Sequence, residues 1–373
     1  MKPQCRAGVA LALGITAMAG VGRGAKAPAD SWRFAMLCDS RGDARGGSVN
    51  GVRTAILGPL AQQIATEGVD LVLFPGDEIC GYPEYGDIPT QLKQWKATMA
   101  PILDKGIPIY LSRGNHEVIE NEQTPTPGSA IELANYAAWK TVFPYLPQNG
   151  PASQLDATYY VDHRNARFVV FDQYLGRRPG YDPTRYDSSV NGGTVDPWVI
   201  AEIAGAPQTW VFAAAHETMF MIHHTDCMAN DPLGRDQLLD ALGERGGGGV
   251  YFCGHDHGYW RATAPAANGA LVYQLLVGCA GAPFYAADHV GLNAKVDRGA
   301  VPQIEFANGL VAPGAVANTG GLGPMWGYLL VTVDGRTATG EWKALTNADP
   351  KTYSVNGPPV FKTFDTFVLR STR

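Results

Sequence analysis

The sequence of 373 residues is 45% hydrophobic and 17% charged, which is typical of an ordinary globular protein with a large core. Its formal net charge of −6 argues against a nucleic-acid polymer as partner, because a phosphate backbone needs a basic surface. The 45 glycines and 26 prolines predict many tight turns and long loops rather than long helices.

Residues 1–29 have the features of a secretory signal peptide. Basic residues precede an apolar run over 7–21, and small residues follow, with cleavage expected after Ala29. Cleavage there removes four positive charges and no negative one, so the formal net charge falls from −6 to −10. An uncleaved anchor is the alternative, which the short, glycine-containing run disfavours. We predict a periplasmic or secreted protein without stable membrane insertion, with residues 30–373 forming one domain.

Several short apolar runs predict buried β-strands, each of which ends in a polar cluster. These runs cover residues 32–38, 69–75, 107–112, 209–215 and 250–253. Helix-compatible segments occur at 52–66, where Asn50 is the expected N-cap, and at 90–103, 130–142, 197–204 and 233–242. Strands that alternate with helices predict an α/β sheet whose functional residues gather at the carboxyl ends of the strands.

The remaining predicted elements are strands. Residues 158–172 are typical of a β-hairpin around Arg164 and Asn165, so the sheet should be mixed. After Ala270 the helical pattern fades, and strand-like runs follow at 270–278, 327–335, 337–345 and 366–370. We expect two packed sheets with helices outside them, in one continuous domain.

The strand ends supply oxygen and nitrogen ligands suited to a metal. Residues two apart on a strand face the same side, so His255 and His257 could converge on one point. Taken alone, this pair could equally be a polar turn with both rings in water. The other strand ends offer Asp39, Asp77, Asn115, His116 and His216. Such a mixed set favours divalent or trivalent transition metals, and two ions sharing a carboxylate would bind a phosphoryl group.

In this order, the motifs resemble those of the calcineurin-like metallophosphoesterases, which include purple acid phosphatases and cyclic-nucleotide phosphodiesterases. The matching motifs are CDSRGD, PGDEIC, SRGNHE, AAAHET and GHDH, between Asp39 and His257. The resemblance implies a four-layer α/β/β/α sandwich with two mixed β-sheets. It also implies metal-dependent hydrolysis of phosphate esters on a small phosphorylated substrate, by a metal-bound hydroxide at a binuclear site.

The resemblance also implies a role for each candidate site residue. Asp77 would bridge two metal ions, which could be Fe, Mn, Zn or Ca. The other ligands would be Asn115, His216 and His255 at one ion, and Asp39 and His257 at the other. His116 would lie beside the scissile bond and donate a hydrogen bond to phosphate or a proton to the leaving oxygen.

Two positions depart from the family pattern. Arg41 stands where many members have a metal-ligating histidine, and a guanidinium cannot coordinate a metal. Arg41 could bind phosphate as a catalytic residue, pair with Asp43 or another acid, or mark the loss of one metal. Cys80 stands where purple acid phosphatases have a metal-bound tyrosine, so no tyrosinate colour is expected, and its thiolate is a further possible ligand. An extra cation such as Arg41 favours a phosphomonoesterase over a phosphodiesterase.

Other interpretations remain open. The chain could be a non-catalytic member of this fold that binds other proteins, or Cys80 could be the nucleophile, although no phosphate-binding loop surrounds it. Arg113 could reach phosphate or pair with an acid, and His223 and His224 could line the substrate mouth or be exposed. The mature chain keeps an odd number of cysteines, of which Cys80 and Cys227 could form a bridge; the others are Cys38, Cys253 and Cys279.

Overall fold

The structure is a computed structural model, and it describes residues 31–118, 129–174, 195–220, 222–224, 227–285, 303–308 and 323–373. The predicted signal peptide at residues 1–29 lies outside the described residues. Within those ranges, no helix combines the length and the apolar character that a membrane span requires.

Strands and helices alternate from Trp32 to Cys253, as the sequence predicts, and strands dominate thereafter. The strands are β1 Trp32–Met36, β2 Leu71–Pro75, β3 Ile109–Ser112, β4 Tyr159–His163, β5 Ala166–Val170, β6 Trp210–Ala214, β7 Gly249–Cys253, β8 Tyr259–Pro265, β9 Leu271–Val277, β10 Gln303–Asn308, β11 Gly327–Asp334, β12 Thr337–Leu345, β13 Ala348–Asp349, β14 Ser354–Val355 and β15 Phe361–Arg370. The α-helices are α1 Thr54–Ile64, α2 Ile88–Thr98, α3 Ala100–Leu103, α4 Ala130–Val142, α5 Pro197–Gly205 and α6 Pro232–Gly243. Short 3₁₀ helices lie at Pro83–Tyr85, Asn115–Glu117 and Met228–Asn230.

Two details of the first helices differ from the prediction. The segment 90–103 forms two helices rather than one: α2 ends before Met99, whose ψ of 2° is not helical, and Pro101 lacks the backbone N–H that a continuous helix would need. Asn50 does not cap α1. It lies in a turn with a φ of 45°, and the cap position falls on Arg53, whose side chain makes no capping hydrogen bond.

The strands form two large mixed sheets, which confirms that prediction. In the first sheet the order is β15-β12-β11-β1-β2-β3, with β1, β2 and β3 parallel and the other neighbours antiparallel. In the second sheet the order is β10-β8-β9-β7-β6-β5-β4, with β5, β6, β7 and β9 parallel. A two-stranded sheet pairs β13 with β14.

Apolar side chains join the two sheets face to face. Phe34 of β1 packs against aromatic rings of the second sheet at centroid distances of 5.0 to 5.8 Å, namely Phe168, Phe212 and Phe252. Each such burial contributes roughly 1.5–3 kcal/mol. Alternate residues of the second sheet, such as Val169 and Tyr251, belong to another buried cluster with α5 and α6. The second sheet is therefore covered on both faces, while the full order of four layers stays a prediction.

The cysteines of the described residues are all buried, and no disulfide joins Cys80 to Cys227. The Cys38 thiol donates weak hydrogen bonds to the carbonyls of Cys253 and Val277. Burial raises the pKa of Cys38 well above its usual range, so this thiol stays protonated as a small core side chain.

Candidate metal centre

Side chains from three strand ends meet in a buried cluster. An oxygen of Asp39, an oxygen of Asp77 and a ring nitrogen of His257 all lie within 4.8 Å of one another. Oδ1 of Asp39 lies 3.5 Å from Nε2 of His257. Two carboxylates beside an imidazole are a donor set that divalent and trivalent metals accept.

Tight backbone turns at the strand ends orient the side chains of the predicted ligands toward the cluster. Asp39, Asp77 and His255 have φ values of 61°, 54° and 71°, in the left-handed region. Aspartate tolerates this region, whereas for His255 the conformation costs of order 1–3 kcal/mol and requires support from its surroundings. The backbone N–H of His255 donates to both carboxylate oxygens of Asp39 at 3.2 Å, which joins the ends of β1 and β7.

Glycines allow the motifs to approach one another closely. A Cβ atom on Gly114 would lie 2.3 Å from Oδ1 of Asp77, and one on Gly254 would lie 2.2 Å from Oδ2 of Asp39. Neither distance is compatible with a side chain. The glycines that precede Asn115 and His255 therefore make room for the two carboxylates.

His216 lies on the other side of Asp77. Its Nε2 atom is 3.2 Å from Oδ1 of Asp77 and 3.1 Å from Oδ1 of Asn115. Its Nδ1 atom is 3.0 Å from the carbonyl oxygen of Pro75, so Nδ1 carries the hydrogen and Nε2 presents a lone pair. Burial lowers the pKa of His216 to about 4, which keeps the ring neutral near pH 7. Three lone-pair atoms thus converge without a proton between them.

His255 lies near the group formed by His216, Asp77 and Asn115. Its ring centroid is 5.1 Å from that of His216, and its side chain is buried. The structure therefore brings the predicted ligands into two adjoining groups that share Asp77, with His216, Asn115 and His255 on one side and Asp39 and His257 on the other.

His116 is buried beside the shared carboxylate. Its Nε2 atom lies 3.9 Å from Oδ2 of Asp77, and its Nδ1 atom bonds to the carbonyl oxygen of Cys80, which fixes the ring. Burial and the charge of Arg41 lower the pKa of His116 to about 3. The ring is therefore neutral near pH 7, with Nε2 free to accept a hydrogen bond.

Arg41 points at the predicted ligands. Its Nε atom lies 3.4 Å from Nε2 of His257 and 3.7 Å from Oδ2 of Asp77. Asp43, the acid named as its possible partner, instead contacts Arg45 and Arg53, each at 2.7 Å. Of the predicted alternatives, the contact with an acid is present, but that acid is Asp77.

The two carboxylates differ in their electrostatic surroundings. Burial alone would raise the pKa of Asp77, but His216 and His116 in their protonated forms, together with the permanent charge of Arg41, bring it to about 2. Burial and the neighbouring Asp77 charge raise the pKa of Asp39 well above its usual range. A cation between the two adjacent buried carboxylates would offset their mutual repulsion.

Glu117 connects two of the strand-end loops and was not predicted as a site residue. Its carboxylate accepts hydrogen bonds from the backbone N–H groups of Asp77 at 3.0 Å, Ile79 at 3.1 Å and Gly114 at 2.7 Å. Burial and the Asp77 charge raise its pKa to about 7. The motif GNHE was the sequence signal for this residue.

Aromatic and imidazole rings border the cluster, and only weak sequence signals pointed to them. Tyr285 stacks on His257 and on His223, with centroid distances of 4.3 and 4.5 Å. The Nδ1 atom of His224 is 2.8 Å from Oδ1 of Asp256, and its ring lies 4.2 Å from that of His255. His223 and His224 are half-buried, so they line the site rather than standing exposed.

Two other candidates have structural contacts. The Nε atom of Arg113 lies 2.6 Å from Oδ2 of Asp172, and both side chains are fully buried, so Arg113 pairs with an acid. Burial raises the pKa of Cys80 to about 11, which disfavours the thiolate that a nucleophile or a metal ligand requires.

The chain resembles known proteins in sequence and in fold. A family model described as calcineurin-like phosphoesterase matches residues 49–259, a range that contains Asp77 and His257 but not Asp39. No curated protein matches the sequence. A solved structure titled "Structure of PhoD" has a TM-score of 0.60 and 14% identity, covering 92% of this chain and 72% of that chain. This match supports the fold.

Two further solved structures are similar at lower scores. A dimetal phosphatase from Danio rerio has a TM-score of 0.46 and 13% identity, covering 90% of this chain and 99% of that chain. Vps29 from Entamoeba histolytica, complexed with zinc, has a TM-score of 0.30 and 11% identity, covering 89% and 99%.

Proposed function

The chain belongs to the calcineurin-like phosphoesterase family, and on that basis we propose that it hydrolyses phosphate monoesters with the help of bound metal ions. The observation that carries this proposal is the convergence of strand-end donors around Asp77, with His116 beside them. The substrate would be a small phosphorylated molecule.

The donor groups around Asp77 fit metal ions. Nε2 of His216 faces the oxygens of Asp77 and Asn115 at 3.2 and 3.1 Å, and a cation between these lone pairs would turn repulsion into coordination. Asp39, Asp77 and His257 would hold the second ion of the binuclear site that the motifs predict. When bound, such ions supply positive charge to the phosphoryl oxygens and a hydroxide nucleophile near neutral pH.

His116 would orient the substrate at the reacting bond. Its bond to the Cys80 carbonyl holds the ring so that Nε2 lies on the Asp77 side of the site. Because the ring is neutral, Nε2 would first take up a proton, for which the negative charge of a bound phosphate provides the driving force. The ring could then donate that proton to the leaving oxygen.

Arg41 would favour a monoester over a diester. A monoester carries one more negative charge than a diester, and Arg41 adds a permanent positive charge beside Asp77 and His257. The test compares hydrolysis of p-nitrophenyl phosphate with that of bis(p-nitrophenyl) phosphate under Mn²⁺, Zn²⁺, Fe²⁺ and Ca²⁺. Faster cleavage of the bis-ester contradicts the monoester preference, and cleavage of neither ester contradicts the enzyme.

A non-catalytic protein-binding role is the alternative. Elemental analysis together with a His116→Ala variant separates the two roles. An enzyme holds metal and loses turnover in the variant, whereas a binding protein has no turnover to lose.

We also propose that residues 1–29 direct export and that the mature chain is periplasmic or secreted, as one domain over 30–373. N-terminal sequencing of the protein recovered from the exported fraction tests this proposal. A mature chain that begins at Asp30 is expected, and an intact Met1 in that fraction would contradict cleavage.

A further inference from the structure

Arg41 contacts two of the three residues that would hold a metal ion at the Asp39–Asp77–His257 cluster. Its Nε atom lies 3.4 Å from Nε2 of His257 and 3.7 Å from Oδ2 of Asp77. Both residues belong to the group whose ligand atoms lie within 4.8 Å of one another. The guanidinium is also largely enclosed, with 12% of the Arg41 side chain exposed.

The contact with His257 occupies the lone pair that coordination requires. Nδ1 of His257 bonds to the carbonyl oxygen of Pro283, so Nδ1 carries the hydrogen and Nε2 presents the lone pair. That lone pair accepts the Nε–H of Arg41. An ion can bind His257 at this atom only if Arg41 moves away.

Tyr285 holds Arg41 in this position. The Nη2 group of Arg41 donates a hydrogen bond to the Tyr285 hydroxyl, and the Tyr285 ring stacks on His257 with a centroid distance of 4.3 Å and an interplanar angle of 22°. The guanidinium is thus held between Tyr285 on one side and the cluster on the other.

Charge makes the two sides of Asp77 unequal. Metal–ligand distances are about 2.0–2.6 Å, so an ion on Nε2 of His257 would lie within about 6 Å of the Arg41 Nε atom, where like charges repel strongly in a buried site. On the other side, Oδ1 of Asp77 faces Nε2 of His216, which also lies 3.1 Å from Oδ1 of Asn115.

From these contacts, and resting on the proposed function, we propose that Arg41 competes with a metal ion for the Asp39–Asp77–His257 cluster. The chain therefore binds one ion tightly on the His216 side of Asp77, and a second ion weakly, with displacement of Arg41. Tyr285 is a positioning residue that strengthens this competition.

Metal titration of the chelator-treated full chain tests the proposal without reference to turnover. The probe is Mn²⁺ alone, followed by calorimetry and by elemental analysis after dialysis. The wild-type chain should retain one equivalent, and a second equivalent should bind at least about a hundredfold more weakly, which corresponds to about 3 kcal/mol. Arg41→Gln should tighten the weak step at least about tenfold, and Tyr285→Phe should tighten it by a smaller factor.

Matched variants assign each step to its side. His257→Asn should remove the weak step and keep the tight one, whereas His216→Asn should remove the tight one. Arg45→Gln is the control, because it deletes the same charge from an exposed side chain that pairs with Asp43, and neither step should change. Circular dichroism verifies that each variant is folded. If Arg41→Gln does not fold, Tyr285→Phe still tests the competition.

Two equally tight ions in the wild-type chain would overturn this inference while leaving the proposed function intact. A weak step that neither Arg41→Gln nor Tyr285→Phe strengthens would overturn it as well. A wild-type chain that binds no ion would contradict both the inference and the proposed function.

Discussion

The Glu117 carboxylate accepts a hydrogen bond from the backbone N–H of Asp77 at 3.0 Å. Glu117 is buried and is not one of the predicted ligands, yet it holds Asp77, the residue that both donor groups share. The same oxygen accepts the N–H of Gly114 at 2.7 Å. The loops after β2 and β3 are therefore fixed to each other by one side chain.

Glu117→Ala should weaken metal binding without touching a predicted ligand. The change leaves buried N–H groups without partners, which costs about 1–3 kcal/mol of unfolding free energy for each. Loss of the support for Asp77 should lower Mn²⁺ affinity by about 10–100-fold. Urea unfolding and metal titration measure the two effects, with exposed Glu84→Ala as the control. Unchanged metal affinity in a folded Glu117→Ala variant would show that the loop geometry does not depend on this carboxylate.

His116→Ala should separate binding of metal from turnover. His116 lies 3.9 Å from Asp77 but was not assigned as a ligand, so the metal content should stay as in the wild-type chain. Turnover of p-nitrophenyl phosphate should fall by about 10²–10⁴-fold, the usual contribution of a positioned acid or base. A variant that retains full turnover would remove His116 from the reaction.

Gly114→Ala should damage the site through sterics alone. The added methyl group would lie 2.3 Å from Oδ1 of Asp77, so either the loop or the carboxylate must move. We expect loss of more than about 2 kcal/mol of stability and of tight Mn²⁺ binding. Gly58→Ala in α1 is the matched control, because nothing lies within 4 Å of the added atom, and this variant should gain about 0.5–1 kcal/mol. Equal unfolding midpoints for the two variants would contradict the packing described here.

The stability of the fold should depend on the charge of Glu67. This half-buried carboxylate contacts Lys343 at 2.8 Å and accepts a hydrogen bond from the Tyr328 hydroxyl. Burial alone would raise the pKa of Glu67, but these contacts lower it below its usual value of 4.5. The stabilisation is therefore fully present above pH 4.5 and is lost as the pH falls through the lower pKa of the folded state.

Glu67→Gln should remove that pH-dependent contribution. Because the pair is partly screened by solvent, we expect a loss of no more than about 1 kcal/mol at pH 7, and a smaller difference from the wild-type chain at pH 3. Unfolding free energies measured across pH 3–7 test this expectation. A difference that grows as the pH falls would have the wrong sign.

The sequence predicted the strands well and placed the candidate ligands at their ends, because both follow from local patterns. Continuous apolar runs place Asp39, Asp77 and His216 at the carboxyl ends of buried strands, and parallel strands bring those ends to one edge. The division of the helix at Pro101 also has a local cause, namely the missing N–H, and could have been predicted.

The parts that the sequence did not predict depend on contacts between distant segments. Tyr285 reaches His257 and Arg41 from a loop after β9, and no periodicity or motif marks it. The partner of Arg41 was open for the same reason, since Asp43 is near in sequence whereas Asp77 is near in space. The Cys80–Cys227 bridge, which the sequence left open, is not formed, because loop position alone does not bring two thiols together.

The central claim is that the donors around Asp77 bind metal ions that the chain uses to hydrolyse phosphate esters. The most direct measurement is turnover of p-nitrophenyl phosphate by the chelator-treated chain, before and after addition of Mn²⁺, Zn²⁺, Fe²⁺ or Ca²⁺, beside an Asp77→Asn variant. We predict no turnover after chelation, recovery with at least one ion, and no recovery in the variant. The claim would be contradicted if turnover survived chelation, or if added metal restored full turnover to the Asp77→Asn variant.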